Sequence, residues 1–173
     1  MSSPFQRGQR KYLPEFIYGG IDGSITTFAV VAGAVGASLS SSVILILGLA
    51  NLVGDGFSMA ISNYLSNKSI NEIHKNNKIN PKKTALATFI SFIVIGSIPL
   101  LSFILATISP SLLPYQFKAS FILTALAFLL IGAIKGKIVK KHPFRSSLET
   151  LLIGGIAALL AYSVGYGVKS LIS

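Results

Sequence analysis

The sequence predicts an all-α integral membrane protein whose single domain, residues 1–173, crosses the bilayer five times. The composition is 51% hydrophobic and only 12% charged, with a mean hydropathy of +0.70, which lies outside the range of soluble domains. A spanning helix needs about 20 apolar residues. Five stretches are long enough, at 15–38, 42–66, 84–109, 117–134 and 148–168.

The first stretch follows a polar N-terminal segment, 1–14, that carries Arg7, Arg10 and Lys11. Such an arrangement resembles a cleaved signal peptide, but this apolar run is too long and Asp22 interrupts it. We therefore interpret it as a retained first helix. The segment before it is predicted to lie in the cytosol.

Orientation follows from the basic residues. All fifteen Lys and Arg except Lys118 and Lys169 lie in the N-terminal segment, the 67–83 loop or the 135–147 loop. The excess of positive charge marks the cytosolic side, so the N-terminus is predicted inside and the C-terminus outside. Because these charges flank apolar runs without interleaved aromatic residues, the net charge of +10 indicates a lipid bilayer rather than nucleic acid as partner.

Two further features concern helix geometry. Pro99 lies inside the third stretch, where its missing N–H predicts a kink near Ile98. Small residues four apart let helix backbones approach closely in lipid, within a tight bundle or a homodimer. Such pairs occur as Gly19 with Gly23 and as Gly132 with Gly136.

The chain has five acidic residues, and two of them, Asp22 and Asp55, lie inside apolar stretches. An ionised side chain within a span costs about 3 kcal/mol unless it faces a partner or a water-filled cavity. Its default interpretation is functional, as an ion ligand or a proton relay. The structural alternative is hydrogen bonding to neighbouring helices.

Depth and spacing group these acids with other ligand types. Asp22 lies roughly 10 Å inside the first helix at a 1.5 Å rise per residue, with Thr26 one turn further on. The second helix carries a polar stripe at helical spacing, formed by Asn51, Asp55, Met59 and Ser62.

Carboxylates, an amide, hydroxyls and a thioether suit Fe²⁺ or Mn²⁺ better than Ca²⁺. Metal binding requires deprotonated carboxylates, so protons compete with the metal. Filling a gap in the core is the simpler role for Met59.

The remaining acids have simpler interpretations. Ser146 to Glu149 fits a capping box at the start of the fifth helix, although Glu149 is equally well placed to admit ions. Glu72 and His74 are spaced like a ligand pair but sit among lysines, which favours a solvated loop. Glu15 is interpreted as an interfacial charge. The glycine after each intramembrane aspartate is expected to weaken its helix and expose backbone carbonyls.

Two long motifs resemble a known family. Residues 18–33, YGGIDGSITTFAVVAG, and residues 48–60, GLANLVGDGFSMA, are similar to the first two helices of the vacuolar iron transporter family. The likeness continues through GSIPLL at 96–101 and LETLLIGGIAALLAY at 148–162. It therefore covers nearly the whole chain.

This resemblance implies a homodimer of five-helix protomers that moves Fe²⁺, and often Mn²⁺, out of the cytosol in exchange for protons along a path at the dimer interface. The metal is then a transported substrate, and no cofactor is expected. Asp22 and Met59 match ion-path residues of the family. Vacuolar members have Glu where this chain has Asn51, and Asp55 one turn later is expected to supply that carboxylate, with Asn51 and Thr26 as auxiliary ligands.

One departure from the family lies between the second and third helices. Vacuolar members carry a Glu- and Met-rich cytosolic domain there, whereas this chain has only the basic loop 67–83. The resemblance thus implies a minimal member without that domain, of a kind expected in a bacterial or archaeal plasma membrane. Two alternatives use the same carboxylates: a non-transporting membrane subunit or metal sensor, and, with less support from the local sequence, an intramembrane aspartyl protease.

Overall fold

A computed structural model describes residues 12–74 and 79–172, and every regular element in those ranges is helical. The prediction of an all-α fold is therefore confirmed. Most of the predicted cytosolic segment 1–14, together with Lys75 and Lys78 of the basic loop, lies outside the described residues. The helices are α1 (Leu13–Gly36), α2 (Ser41–Ile73), α3 (Pro81–Gly96), α4 (Ile98–Ile108), α5 (Gln116–Ile138) and α6 (Pro143–Ile172), with a 3₁₀ turn at Pro110–Tyr115 before α5.

Four helices, α1, α2, α5 with its preceding 3₁₀ turn, and α6, are long and apolar enough to cross a membrane. The bent pair α3 and α4 makes a fifth candidate if the two helices form one span. Their axes differ by 50° at the break. The kink predicted near Ile98 is thus confirmed, because Pro99 has no N–H with which to continue the helical hydrogen bonds. The Ser120 hydroxyl donates to the Pro99 carbonyl (2.6 Å) and so ties α5 to the bend.

Helix α1 is the central element and contacts all five other helices. The main apolar cluster fills the space between α1, α2, α3 and α4. It consists of Val31, Ala34, Ile44, Leu52, Phe92, Leu100 and Phe103. The turn from α1 to α2 is held at Ser38, which has a positive φ of 57° and accepts a hydrogen bond from the Lys169 amine (2.8 Å). This contact links the turn to the end of α6.

Both glycine pairs allow close helix packing inside the protomer. A Cβ on Gly23 would lie 2.6 Å from the Phe92 carbonyl oxygen, and one on Gly132 would lie 2.6 Å from the Ser147 Cα. Gly19 likewise meets α3, and Gly136 meets the start of α6. The tight bundling expected from these spacings is therefore present within one chain, between α1 and α3 and between α5 and α6.

Two helices, α2 and α6, extend furthest beyond the predicted apolar stretches. Helix α2 continues from 66 to Ile73, where Asn67 donates to the Thr84 hydroxyl (3.3 Å) and Asn71 donates to the Ile79 carbonyl (2.7 Å). Because these side chains bond to the next segment, the helix persists after hydropathy falls. Helix α6 begins at Pro143 rather than at 148, since a proline is well suited to the first turn.

Candidate functional site

The two intramembrane carboxylates come from adjacent helices, α1 and α2. Asp22 is partly buried, whereas Asp55 is exposed on the outside of the protomer. The two carboxylates lie close enough for their charges to repel each other. The one ion pair among residues 12–74 and 79–172 involves neither of them. One chain therefore holds two neighbouring acids, and no Lys, Arg or His among the described residues forms an ion pair with either.

Each of these aspartates is followed by a glycine that packs against the same residue, Phe92 of α3. A Cβ on Gly23 would lie 3.0 Å from Phe92 Cα, and one on Gly56 would lie 3.1 Å from its ring. Phe92 is completely buried. The expectation that Asp-Gly pairs weaken their helices is wrong, because α1 and α2 run unbroken through both positions. The glycines instead make room for a ring between the two helices that carry the acids.

The other predicted ligands differ in how they are held. The Thr26 hydroxyl donates to the backbone carbonyl of Asp22 (2.9 Å), which leaves its lone pairs free. The Asn51 amide nitrogen is buried without a hydrogen-bond partner among the described residues. Met59 is partly buried against the main apolar cluster, as gap filling requires, and Ser62 is exposed. The polar stripe of α2 is thus divided between the protomer interior and its surface.

Glu15 of α1 is a further acid whose surroundings were not predicted from the sequence. One of its carboxylate oxygens, Oε2, is buried and has no hydrogen-bond partner in the described part of the chain. It precedes Asp22 by seven residues, or two helical turns, so both acids lie on one face of α1. That spacing was visible in the sequence and could have identified it. Glu15 continues the line of acids towards the start of α1.

The capping box predicted at Ser146 to Glu149 is absent, because α6 has already begun at Pro143. The Ser147 hydroxyl donates to the Leu129 carbonyl (2.7 Å) and ties α6 to α5. Glu149 instead forms an ion pair with Lys135 of α5, with 3.3 Å between Nζ and Oε2. The Glu149 side chain is 52% exposed, so water screens this pair. Glu72 and His74 are both exposed, as expected of solvated residues, but Glu72 lies inside α2 and not in a loop.

We expect Glu149→Gln and Lys135→Gln each to lower the free energy of unfolding by less than about 1 kcal/mol, since a screened pair contributes little. Thermal unfolding of the purified variants measures this change. If the two residues act only through each other, the double variant should lose no more free energy of unfolding than the more destabilised single variant. A fall in ion flux in Glu149→Gln but not in Lys135→Gln would instead show that Glu149 admits ions.

Within residues 12–74 and 79–172, no group of three or more His, Cys, Asp or Glu side chains is arranged to hold a metal ion. The acids of α1 and α2 in one chain are therefore too few to enclose a metal ion by themselves. Divalent transition metals take at least four ligands. A metal ion bound here would need further ligands from neutral oxygen, nitrogen or sulfur atoms, from water, or from another copy of the chain.

Comparison with known proteins supports the family resemblance. A family model described as the VIT family matches residues 13–79 and 70–166. A vacuolar iron transporter of Centaurea cyanus is 27% identical, over 90% of this chain and 87% of its own. One from Toxoplasma gondii is 25% identical, over 89% of this chain and 73% of its own, and vacuolar iron transporter 1 of Arabidopsis thaliana is 25% identical, over 86% and 82%.

These alignments extend over more positions than this chain has residues, so the relatives contain insertions relative to it. The two parts of the family match meet between α2 and α3, where only seven residues separate Ile73 from Pro81. No room exists there for a domain between the second and third spans. This chain belongs to the VIT family, as a minimal member without the cytosolic metal-binding domain.

Proposed function

We propose that this protein moves Fe²⁺ or Mn²⁺, or both, out of the cytosol in exchange for protons. The observation that carries the proposal is the pair Asp22 and Asp55, two neighbouring acids inside apolar helices with no described cation to neutralise them. Such groups are costly in a membrane unless they face an ion or a wet path. Relatives named vacuolar iron transporter support a metal ion as the substrate.

Exchange with protons follows from the chemistry of these ligands. A carboxylate binds a divalent cation only when it is deprotonated, so protonation releases the metal and metal binding releases protons. A carrier whose acids face each side in turn therefore couples the two flows. Lowering the pH on the loading side should raise the metal concentration needed for half-maximal flux, because a smaller fraction of the carboxylates is then deprotonated.

A homodimer completes this site. Asp55 is exposed on the surface of the protomer, within an otherwise apolar part of α2. An aspartate facing lipid is unfavourable. A second copy covering this flank of α2 removes Asp55 from lipid, and two-fold symmetry brings four carboxylates together. We propose that the ion path runs between the two copies at this level.

The roles of the remaining residues follow from their positions. Glu15 lies between the start of α1 and Asp22, which suits a residue that receives ions before they reach the central pair. Asn51 offers an unpartnered amide, and Thr26 offers hydroxyl lone pairs beside Asp22. Met59 adds a soft thioether that favours Fe²⁺ over Ca²⁺. The basic ends of the helices are placed in the cytosol by the positive-inside rule.

The names of the relatives bear on the membrane in which this protein resides. The relatives are named vacuolar and come from eukaryotes. They give no support to the expectation of a bacterial or archaeal plasma membrane.

Uptake of Fe²⁺ and Mn²⁺ into proteoliposomes tests the function. With an acidic lumen, protons leave as metal enters, so we expect faster uptake than without a gradient. Asp55→Asn should lower the gradient-driven rate by about tenfold or more, because it removes a direct ligand. Flux indifferent to the gradient would contradict proton exchange, and absence of flux with retained metal binding would indicate a membrane subunit or metal sensor.

A further inference from the structure

A groove and a recess lie next to each other where α2 runs beside α3, towards the lysine-rich end of the bundle. The groove runs between α2 and α3, has a volume of about 380 Å³, and is walled by Phe57, Ile61, Leu86 and Phe89. Its surface is almost entirely apolar. A second space of about 520 Å³, more polar, lies around Asn80 and Pro81 at the start of α3. Lys82 and Tyr64 line both spaces.

The chemistry of the two spaces together suits one class of molecule. An apolar trough that opens into a polar recess beside a cationic amine is complementary to an acyl chain ending in a negatively charged phosphate. Tyr64 lines both spaces, and aromatic side chains with a polar tip are favoured at the level of lipid headgroups. We propose that this groove binds an anionic phospholipid, with an acyl chain between α2 and α3 and its phosphate against Lys82.

Charge at this end of the bundle favours an anionic headgroup over a neutral one. Lys68, Lys82 and Lys83 are exposed here, and Glu72 is the only acid on the neighbouring part of α2. None of the three lysines forms a salt bridge within the described residues. Each lysine near a membrane surface contributes about 1 kcal/mol to attraction of anionic lipid. Lys82 differs from the others because it also lines the apolar groove.

The groove stays open when Asp55 is covered by a second copy. Phe57 and Asp55 are two residues apart on α2, so their side chains point about 200° apart around the helix. The groove therefore occupies the flank of α2 that faces α3 and lipid, opposite the acid. The Asn67 bond to the Thr84 hydroxyl holds α2 and α3 together just beyond the groove, which fixes its width at the polar end.

Lipid titration of the purified full-length protein tests this proposal. Native mass spectrometry counts bound dioleoyl phosphatidylglycerol and dioleoyl phosphatidylcholine, and the melting temperature is followed in parallel. We expect the parent to bind the anionic lipid about fivefold more tightly, from one lysine's contribution. Lys82→Gln should remove this preference. Ala85→Trp, which fills the groove, should weaken binding of both lipids.

Lys83→Gln is the matched control, because Lys83 neighbours Lys82 in sequence but lines neither space. Equal loss in Lys82→Gln and Lys83→Gln would mean diffuse surface attraction and would overturn the proposal. So would equal stabilisation by glycerol phosphate, which has no acyl chains and would indicate a site for a soluble anion. Conversion of a dimer to monomers by Ala85→Trp would mean that a second copy occupies the groove. Because Lys82 is exposed, its variant tests the headgroup contact even if Ala85→Trp fails to fold.

Discussion

Replacing Asp22 with asparagine is expected to lower metal flux by about a hundredfold or more. Mutating even the residues that only hydrogen-bond to metal ligands usually lowers metal affinity or activity by about 10–100-fold. Asparagine keeps the shape of the side chain and its carbonyl oxygen, but it carries no charge and exchanges no proton. Both metal binding and proton release at this position are therefore lost. Initial rates of Fe²⁺ uptake into proteoliposomes, divided by the amount of reconstituted protein, measure the effect.

Glu72→Gln provides the control for Asp22→Asn. It removes one negative charge in the same way, but from an exposed position at the end of α2. We expect its flux to stay close to that of the parent. If Asp22→Asn were as active as Glu72→Gln while remaining folded, the central role of Asp22 in the proposed function would be wrong. Any flux that survives in Asp22→Asn should also respond less to an imposed pH gradient.

Placing alanine at Gly23 is expected to destabilise the fold by about 1–3 kcal/mol, the usual cost of forcing extra atoms into a packed core. The new Cβ would lie 2.6 Å from the Phe92 carbonyl oxygen and 3.0 Å from its Cα. These are backbone atoms, which cannot rotate away as a side chain does. Helices α1 and α3 must therefore separate, and a lower melting temperature of the purified protein should report the change.

Gly155→Ala is the matched control for Gly23→Ala. Gly155 lies in α6, and a Cβ there would meet nothing within 4 Å. Because alanine is a better helix former than glycine, this control should be neutral or stabilising by about 0.5–1 kcal/mol. Similar losses in both variants would show that helix geometry, and not contact with Phe92, limits stability. Since Gly23 follows Asp22, Gly23→Ala should also slow metal flux.

Much of the fold was predictable because it depends on local properties of the chain. Apolar runs located every long helix, and the position of Pro99 predicted the bend between α3 and α4. Helix ends were less accurate. Helix α2 continues to Ile73 because Asn67 and Asn71 bond to the next segment, and hydropathy contains no information about such contacts.

The candidate site was predictable in its acids but not in its construction. Asp22 and Asp55 stand out in any reading of the apolar stretches, because charged residues are rare there. The burial of Glu15 Oε2 without a hydrogen-bond partner among the described residues was not predicted, since it depends on how α1 packs. Glu149 was interpreted either as part of a helix cap or as a residue that admits ions, and its partner in the structure, Lys135 of another helix, was not predicted. Pairings between helices depend on residues distant in sequence.

The sequence by itself determined the membrane class, the apolar helices and the two acids within them, because hydropathy and helical spacing are properties of short segments. Only the tertiary structure decided that one buried ring, Phe92, lies against the glycines beside both acids, and that Asp22 is partly buried while Asp55 is exposed. Which flank of a helix meets its neighbour depends on how side chains from separate segments fit together. That fit arises only when the helices pack.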